Sequence, residues 1–281
     1  MGRFLDSSTT PVHPLAVDYF AAVTAWNLGR NDKFGTCGPT YVSNAALHVS
    51  TVLTGAGVRF TDDEIIDLYR RSGNPNFDPK TGAGDNGVDM TVMLSEVVKN
   101  GIGFGDRNTK AVAYAAFDST DTDKLWLAGA LFGGVGWGAD LRQAQQKQTN
   151  VGLWDYTARS VEWGGHAIYA AGTYSDVAGT AGDRTKLVTW ARVIASTVAF
   201  IQNQVQESYI LLWPWHLQSK TFLANTDLAT LAADFTAITR KPFPANVPTP
   251  PPPPAPAPTS APSDAQMWAL AKLWAAGKGL V

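Results

Sequence analysis

The sequence of 281 residues contains one cysteine, Cys37. A single cysteine excludes an internal disulfide and any cysteine-rich zinc site. The four histidines are scattered along the chain, and no two of them have the spacing of metal ligands. We therefore expect neither a bound metal nor any other cofactor.

Charged residues are also few, at 16% of the chain with a formal net charge of −2. Nucleic-acid binders concentrate Lys and Arg in a patch or stripe, and none is present here, so we expect no nucleic-acid partner. The longest uncharged run, residues 125–139, is shorter than the roughly 20 residues that a membrane-spanning helix needs. The amino terminus lacks the apolar segment of a secretory signal. The sequence therefore predicts a soluble protein made in a cytosol.

Proline, in contrast, is concentrated in residues 244–262. Prolines this dense form neither helices nor sheets and favour an extended spacer. Residues 1–243 are predicted to form one mixed domain, and residues 263–281 a short helical tail. The apolar residues on one face of this tail are Met267, Leu270 and Trp274. Because so short a helix is marginal alone in water, we expect it to dock on a protein partner or oligomer; a frayed tail that folds back on its own domain is the alternative.

Within the predicted domain, helical patterns precede strand patterns. The predicted helices are residues 15–29, the stretch after Cys37, 61–73 with Thr61 as its cap, and 87–101. The predicted strands are residues 110–118, 132–141, 165–174, 185–194 and 207–215, with helical insertions at 122–131 and 196–205. This order predicts an α+β fold, with a helical half packed face to face on a sheet.

Cys37 lies in the stretch "NDKFGTCGPT", at the predicted start of a helix. The free N–H groups and positive dipole end of a helix stabilise a thiolate there. Gly35 and Gly38 allow close backbone approach, and Pro39 suits the first helical turn. The alternative is a buried, inert cysteine, which is common for lone cysteines. On these residues alone the inert alternative is the stronger one.

His166 is the candidate partner of Cys37. Two glycines precede it in "VEWGGHAIYAAGTY", and it opens an apolar predicted strand. A histidine at the mouth of a strand can act as the general base that takes the proton of a thiol. Taken alone, a satisfied core histidine is the stronger interpretation of His166, but together with Cys37 the sequence favours a nucleophile and base.

The order and context of these two residues resemble the papain-like cysteine peptidase superfamily. "CGP" is similar to the start of the bacteriocin-processing peptidases, and "NDKFGTC" resembles a group of papain-like sequences in phages and bacteria. The resemblance covers roughly residues 31–212. It implies a papain-like α+β fold and a hydrolase with Cys37 as nucleophile and His166 as base.

The resemblance also implies roles for Asn31 and Trp190. Asn31 stands six positions before Cys37, where papain-like enzymes have a Gln that contributes to the oxyanion hole. Its alternative interpretation is a turn or helix-ending Asn. Trp190 matches the Trp that shields the catalytic pair, and Trp163 is a candidate for the substrate groove.

The third catalytic member departs from the family pattern. Val188 stands where papain-like enzymes have an Asn, and Thr189 is the nearest polar side chain. The register of the hairpin after His166 decides which residue lies beside the imidazole. Asp176, Asp183 and Thr189 all remain open at this point.

Two acidic residues, Asp85 and Asp89, lie in the glycine-rich stretch "GAGDNGVDM". Their spacing lacks the ligand series of a calcium loop, so we expect the end of a turn and the cap of the next helix.

The sequence therefore predicts a cysteine hydrolase that cuts a peptide bond in a peptide or protein substrate by acyl transfer. By resemblance it is associated with a phage, is made in the host cytoplasm and is carried on the virion. One alternative is an inactive papain-like scaffold that serves as a structural tail or capsid protein and is anchored by its C-terminal helix. The missing Asn favours this alternative. The other is a peptidoglycan amidase or endopeptidase, which the proline-rich spacer would suit.

Overall fold

The computed structural model describes residues 16–17, 19–118, 120–174 and 184–219, and the isolated positions 222, 229, 232, 233 and 242. The predicted linker 244–262 and the tail 263–281, with Met267, Leu270 and Trp274, lie outside these residues. Asp176 and Asp183 lie outside them too, so both remain predictions.

The first half of the described chain is helical, as predicted after Cys37. Its helices are α1 (Cys37–Thr54), α2 (Asp62–Arg71) and α3 (Met90–Lys99). The Thr61 side chain accepts from the Glu64 N–H and the Glu64 side chain returns to Thr61, which makes the capping box at the start of α2. Asp89 caps α3 by accepting from the N–H groups of Thr91 and Val92, so its predicted role as a cap is confirmed.

The second half is built around one sheet. Its strands are β1 (Ala16–Val17), β2 (Ala113–Phe117), β3 (Val135–Arg142), β4 (Leu153–Trp154), β5 (Glu162–Tyr174), β6 (Arg184–Thr189), β7 (Arg192–Thr197) and β8 (Val205–Leu212). The strand order is β2-β8-β3-β5-β6-β7-β4, and β1 pairs with β5. Every pairing is antiparallel except the two-residue pair of β4 with β7. The helices of this half are α4 (Thr122–Phe132), α5 (Gln143–Val151), α6 (Val198–Gln204) and α7 (Pro214–Gln218).

The two faces of β5 contribute to two different cores. Ala167, Tyr169 and Ala171 pack with residues of α1, whereas Ile168 and Ala170 pack with residues of α4 and α6. This alternation follows from the period of two along a strand. The helical half therefore covers one face of the sheet, which is the predicted α+β arrangement. Within the ranges that the structure describes, no helix has the length and apolar character needed to cross a bilayer.

The predicted helix at residues 15–29 is wrong. That segment contains β1 and a single 3-10 turn at Tyr19–Ala22. The Asn44 side chain on α1 accepts from the Asn27 N–H at 2.9 Å and donates to the Asn27 carbonyl at 3.2 Å. Tertiary hydrogen bonds thus satisfy backbone groups that a local helix would have paired.

The predicted strand at residues 185–194 is two strands. Trp190 and Ala191 separate β6 from β7 and have positive φ angles of 45° and 58°. Thr189 pairs with Arg192, so Trp190 and Ala191 form the whole turn. Left-handed values at both central residues are those of the tightest hairpin turn, which usually carries Gly or Asn.

Candidate active site

Cys37 is the first residue of α1, at the position that the sequence predicts. The residue is half-buried. Burial raises the pKa of its thiol above the ordinary value, while hydrogen bonds from the backbone N–H groups of Ala167 and Gly38 act to lower it. The thiol therefore touches both halves of the protein, at the start of α1 and at β5.

The two glycines around Cys37 do lie in close contact with other parts of the chain. A Cβ atom on Gly38 would lie 2.5 Å from Val88 Cγ2 and 2.8 Å from Met93 Sδ. One on Gly35 would lie 2.8 Å from Asp85 Oδ1. Real side chains do not approach so closely, so a larger residue at either position would force Val88, Met93 or Asp85 to move.

His166 lies on β5 opposite Ala139 of β3 and is 9% exposed. Its Nε2 forms a 2.8 Å hydrogen bond with Thr189 Oγ1. Burial lowers the pKa of His166 to about 4, so the resting imidazole is neutral. When Nε2–H donates to Thr189, Nδ1 is left as the nitrogen that can accept a proton.

The register of the sheet explains why Thr189, rather than Val188, meets the imidazole. Val188 pairs with Tyr169 and is buried in the core beside α1. Thr189 is the next residue of β6, so it faces the opposite side of the sheet, where His166 also lies. Thr189 is itself buried, with 3% of its surface exposed.

Trp190 covers His166. The two rings are stacked, with centroids 4.6 Å apart and planes inclined by 21°. The indole N–H of Trp190 donates to the backbone carbonyl of Asn31 at 3.2 Å, which ties the β6–β7 turn to the loop before α1. Trp154, fully buried, packs edge-on against both rings. Trp163 packs against Trp190 at 5.7 Å and remains 44% exposed.

The predicted site residues converge on one cleft of about 510 Å³, with Thr189 behind the imidazole. Those that line it are Asn31, Cys37, Trp163, His166 and Trp190. In the part of the chain that the structure describes, no protein group hydrogen-bonds the Asn31 side chain, so its amide is available to a ligand. Gly164 and Gly165, just before His166, line the cleft as well.

Sequence reasoning missed two features: the cleft residues contributed by α5, and the contact of Asp85 with the backbone of Gly35. Gln146 and Thr149 line the cleft from α5, which was not predicted. The only buried side chain of α5 is Gln145, so the helix has no apolar periodicity. Its run of Gln and Lys, which favour helices, was the available signal. Asp85, expected to end a turn, contacts the loop that carries Cys37.

Metal binding has no structural basis in the ranges described, since no three His, Cys, Asp or Glu side chains there lie close enough together to hold an ion. The chemistry that these residues offer is that of a thiol, an imidazole, an amide and backbone N–H groups. Such a set can add a nucleophile to a carbonyl, stabilise the resulting oxyanion and move one proton.

Comparison with known proteins gives the fold a name. No family model and no curated protein matches the sequence. Among solved structures, xylellain, a cysteine protease from Xylella fastidiosa, superposes with a TM-score of 0.57 at 12% identity, covering 74% of this chain and 89% of its own. Digestive procathepsin L 3 of Tenebrio molitor larval midgut superposes with a TM-score of 0.54 at 16% identity, covering 75% of each chain. The predicted papain-like α+β fold is therefore confirmed. At these identities the likeness concerns the fold alone.

Proposed function

We propose that this protein is a cysteine hydrolase that cleaves a peptide bond by acyl transfer, with Cys37 as nucleophile and His166 as general base. The observation that carries the proposal is the meeting of Cys37, His166 and Asn31 in one cleft, with Thr189 bonded to the imidazole. The papain-like fold supports it, because a peptide is the substrate that such a fold implies.

The reaction begins with a neutral thiol and a neutral imidazole, since burial disfavours the charge on each group separately. Transfer of the thiol proton to His166 creates two opposite charges that offset each other in the cleft. The thiolate attacks the carbonyl carbon, and the negative charge moves to the carbonyl oxygen. The N–H of Cys37 and the amide of Asn31 stabilise that oxygen, each typically by about 3 kcal/mol.

The second half of the reaction releases the products. His166 gives its proton to the leaving amine, which departs as the carbon–nitrogen bond breaks and leaves a thioester on Cys37. His166 then takes a proton from a water molecule, and the resulting hydroxide attacks the thioester. Cys37 leaves as the thiol and the acyl group departs as a carboxylic acid.

An inactive papain-like scaffold is the second candidate function. Two observations favour it: a Thr hydroxyl contacts His166 where papain-like enzymes have a carboxamide, and burial favours the uncharged form of both reacting groups. In that case we propose that the protein has a structural role in a phage particle. The phage association and the host cytoplasm as site of synthesis are proposals that rest on the sequence resemblance.

The decisive experiment measures acylation of the full-length protein by p-nitrophenyl acetate, with labelled casein and purified peptidoglycan as macromolecular substrates. We expect a burst of p-nitrophenolate equal to the protein concentration, lost in Cys37→Ala and in His166→Gln. The glutamine keeps a polar group that can bond Thr189 but has no basic nitrogen. Val151→Ala, which changes an 80% exposed residue of α5, is the control for the substitution itself.

A second measurement separates the two candidates. Iodoacetamide should label Cys37 at pH 6.5 faster in the wild type than in His166→Gln, because His166 takes the thiol proton as the sulfur attacks. If labelling is no faster and the variant changes nothing, the hydrolase is refuted and the scaffold remains. Cleavage of peptidoglycan but not casein would identify the cell-wall enzyme among the hydrolases.

We also propose that residues 263–281 bind a protein partner or a second copy of the chain. The support is the shared apolar face of Met267, Leu270 and Trp274 in the sequence. Deletion of residues 263–281 should weaken assembly or partner binding; unchanged assembly would show that the tail is passive.

A further inference from the structure

The loop between α2 and α3 is joined to the cysteine loop through one carboxylate. Both oxygens of Asp85 lie 3.0 Å from the backbone nitrogen of Gly35 and accept its N–H. The Tyr69 hydroxyl donates to Asp85 Oδ1 at 2.5 Å. Gly35 stands two residues before Cys37, so these bonds act next to the proposed nucleophile.

Asp85 is itself held in place by α2. Tyr69 is fully buried in that helix, and its hydroxyl also accepts the N–H of Gly87 at 2.8 Å. Asn74 donates to the Gly87 carbonyl at 2.7 Å and accepts from the N–H of Asn86 at 3.2 Å. The carboxylate is therefore presented to Gly35 from a loop whose next two residues, Asn86 and Gly87, are bonded to Tyr69 of α2 and to Asn74 just after that helix.

Gly35 packs closely against Asp85 and its neighbours. A Cβ atom there would lie 2.8 Å from Asp85 Oδ1, 3.1 Å from the Tyr69 hydroxyl oxygen and 3.2 Å from the Gly87 Cα. On the other side of the loop, the Thr36 hydroxyl donates to the Gly29 carbonyl at 2.8 Å. Residues 35 and 36 are thus held from two directions, and Asp85 supplies the hold on the side of α2.

We propose that Asp85 is a positioning residue for Cys37, holding the backbone of residues 35–37 so that the Cys37 thiol and N–H keep their places at the start of α1. The proposal adds to the proposed hydrolase a residue and a loop that the mechanism above does not use, and its catalytic part rests on that proposed function. Asp85 touches no reacting atom; it acts through the backbone of Gly35.

Asp85 has a second, opposite effect through its charge. Its carboxylate lies close enough to Cys37 to raise the pKa of the thiol. The other titratable groups that face Cys37 are His166 on β5 and Asp32 in the preceding loop, with Tyr69 of α2 behind Asp85. Asp85 therefore orders the oxyanion site while it disfavours the thiolate, and the two effects can be separated by experiment.

The test compares Asp85→Ala and Asp85→Asn with wild type, with Asp106→Asn as the control, since Asp106 is an exposed carboxylate outside the cleft. Alkylation by iodoacetamide needs only the thiolate, so its pH profile should move to lower pH in both Asp85 variants. The thiolate fraction at a fixed lower pH should therefore rise in both variants, because loss of the Asp85 charge removes one cause of the raised pKa of the Cys37 thiol. Acylation by p-nitrophenyl acetate also needs the oxyanion site, so in Asp85→Ala it should slow by about tenfold or more.

Amide hydrogen exchange at residues 35–37 completes the test. Exchange should accelerate in Asp85→Ala and stay closer to wild type in Asp85→Asn, whose amide oxygen can still accept one bond. Unchanged exchange together with an unchanged alkylation profile would overturn the proposal, as would equal proportional losses of alkylation and acylation. If the wild type itself is not acylated, the hydrolase is refuted, and the alkylation profile and exchange still decide the role of Asp85.

Discussion

The hydroxyl of Thr189 is the group on which the orientation of His166 depends, and Thr189→Val removes it while keeping the shape of the side chain. Both residues are buried, so the variant leaves the Nε2 of His166 without its 2.8 Å partner. An unsatisfied buried donor costs about 1–3 kcal/mol, and the free energy of unfolding should fall by that amount. Thr189→Ser, which keeps the hydroxyl and loses one methyl group, should cost about 1 kcal/mol.

In the proposed reaction, the effect of the variant follows from the positive charge that His166 would acquire. A hydrogen bond to a neutral group contributes about 0.5–1.5 kcal/mol and one to a charged group about 1.5–3 kcal/mol. The bond to Thr189 therefore strengthens by about 1–1.5 kcal/mol when the imidazole takes the thiol proton, which corresponds to about tenfold in rate. We expect acylation of Thr189→Val to be about tenfold slower than wild type.

Stopped-flow measurement of the p-nitrophenolate burst at pH 7.5 tests this directly, with urea unfolding of each variant alongside. Thr189→Ser is the matched control, because it loses packing but keeps the bond and should acylate at close to the wild-type rate. Equal burst rates in the Val and Ser variants would refute the reasoning, since the hydroxyl would then have no part in orienting the base.

Two further predictions concern the same side of the sheet and the buried histidines. Trp190→Phe keeps a ring over His166 but loses the N–H bond to the Asn31 carbonyl. We expect the free energy of unfolding to fall by about 1 kcal/mol and the acylation burst to slow. An unchanged melting temperature would contradict this prediction. Burial lowers the pKa of His166 and of His216 to about 4, from an ordinary value of 6.5. Between pH 6.5 and pH 4 the unfolded chain therefore binds more protons than the folded protein. The free energy of unfolding should therefore fall as pH is lowered from 6.5 to 4, by up to about 3 kcal/mol per histidine; urea titrations that give a flat pH profile would count against it.

The features that sequence analysis identified are those with local signals. Cys37 and His166 each stand beside glycines at the start of an apolar element, and that pattern needs no knowledge of the rest of the chain. The cap residues Thr61 and Asp89 are likewise set by the residues that follow them. The α+β order was visible because helical periodicity and strand alternation occupy different halves of the sequence.

The features that were missed depend on contacts between distant residues. Asp85 meets Gly35 from 50 positions away, and no local pattern distinguishes it from an ordinary turn residue. The irregular segment before α1 depends on Asn44, whose side chain pairs with the backbone of Asn27. Thr189 could be named but not selected, because its place beside His166 depends on the register of β6 against β5, which no local pattern fixes.

The turn between β6 and β7 has only two residues, and two of the contacts of the imidazole, besides the edge-on packing of Trp154, come from it or from the position just before it. Thr189 holds one edge of the His166 ring and Trp190 covers its face, so a turn this short leaves neither free to move without the other. The length of this turn therefore indicates whether Thr189 and Trp190 can both contact the imidazole. In a related chain, one residue inserted between β6 and β7 would change the place of Trp190 relative to Thr189 while leaving Cys37 and His166 intact in the alignment. Turn length would then separate relatives that keep this cover over the imidazole from those that do not.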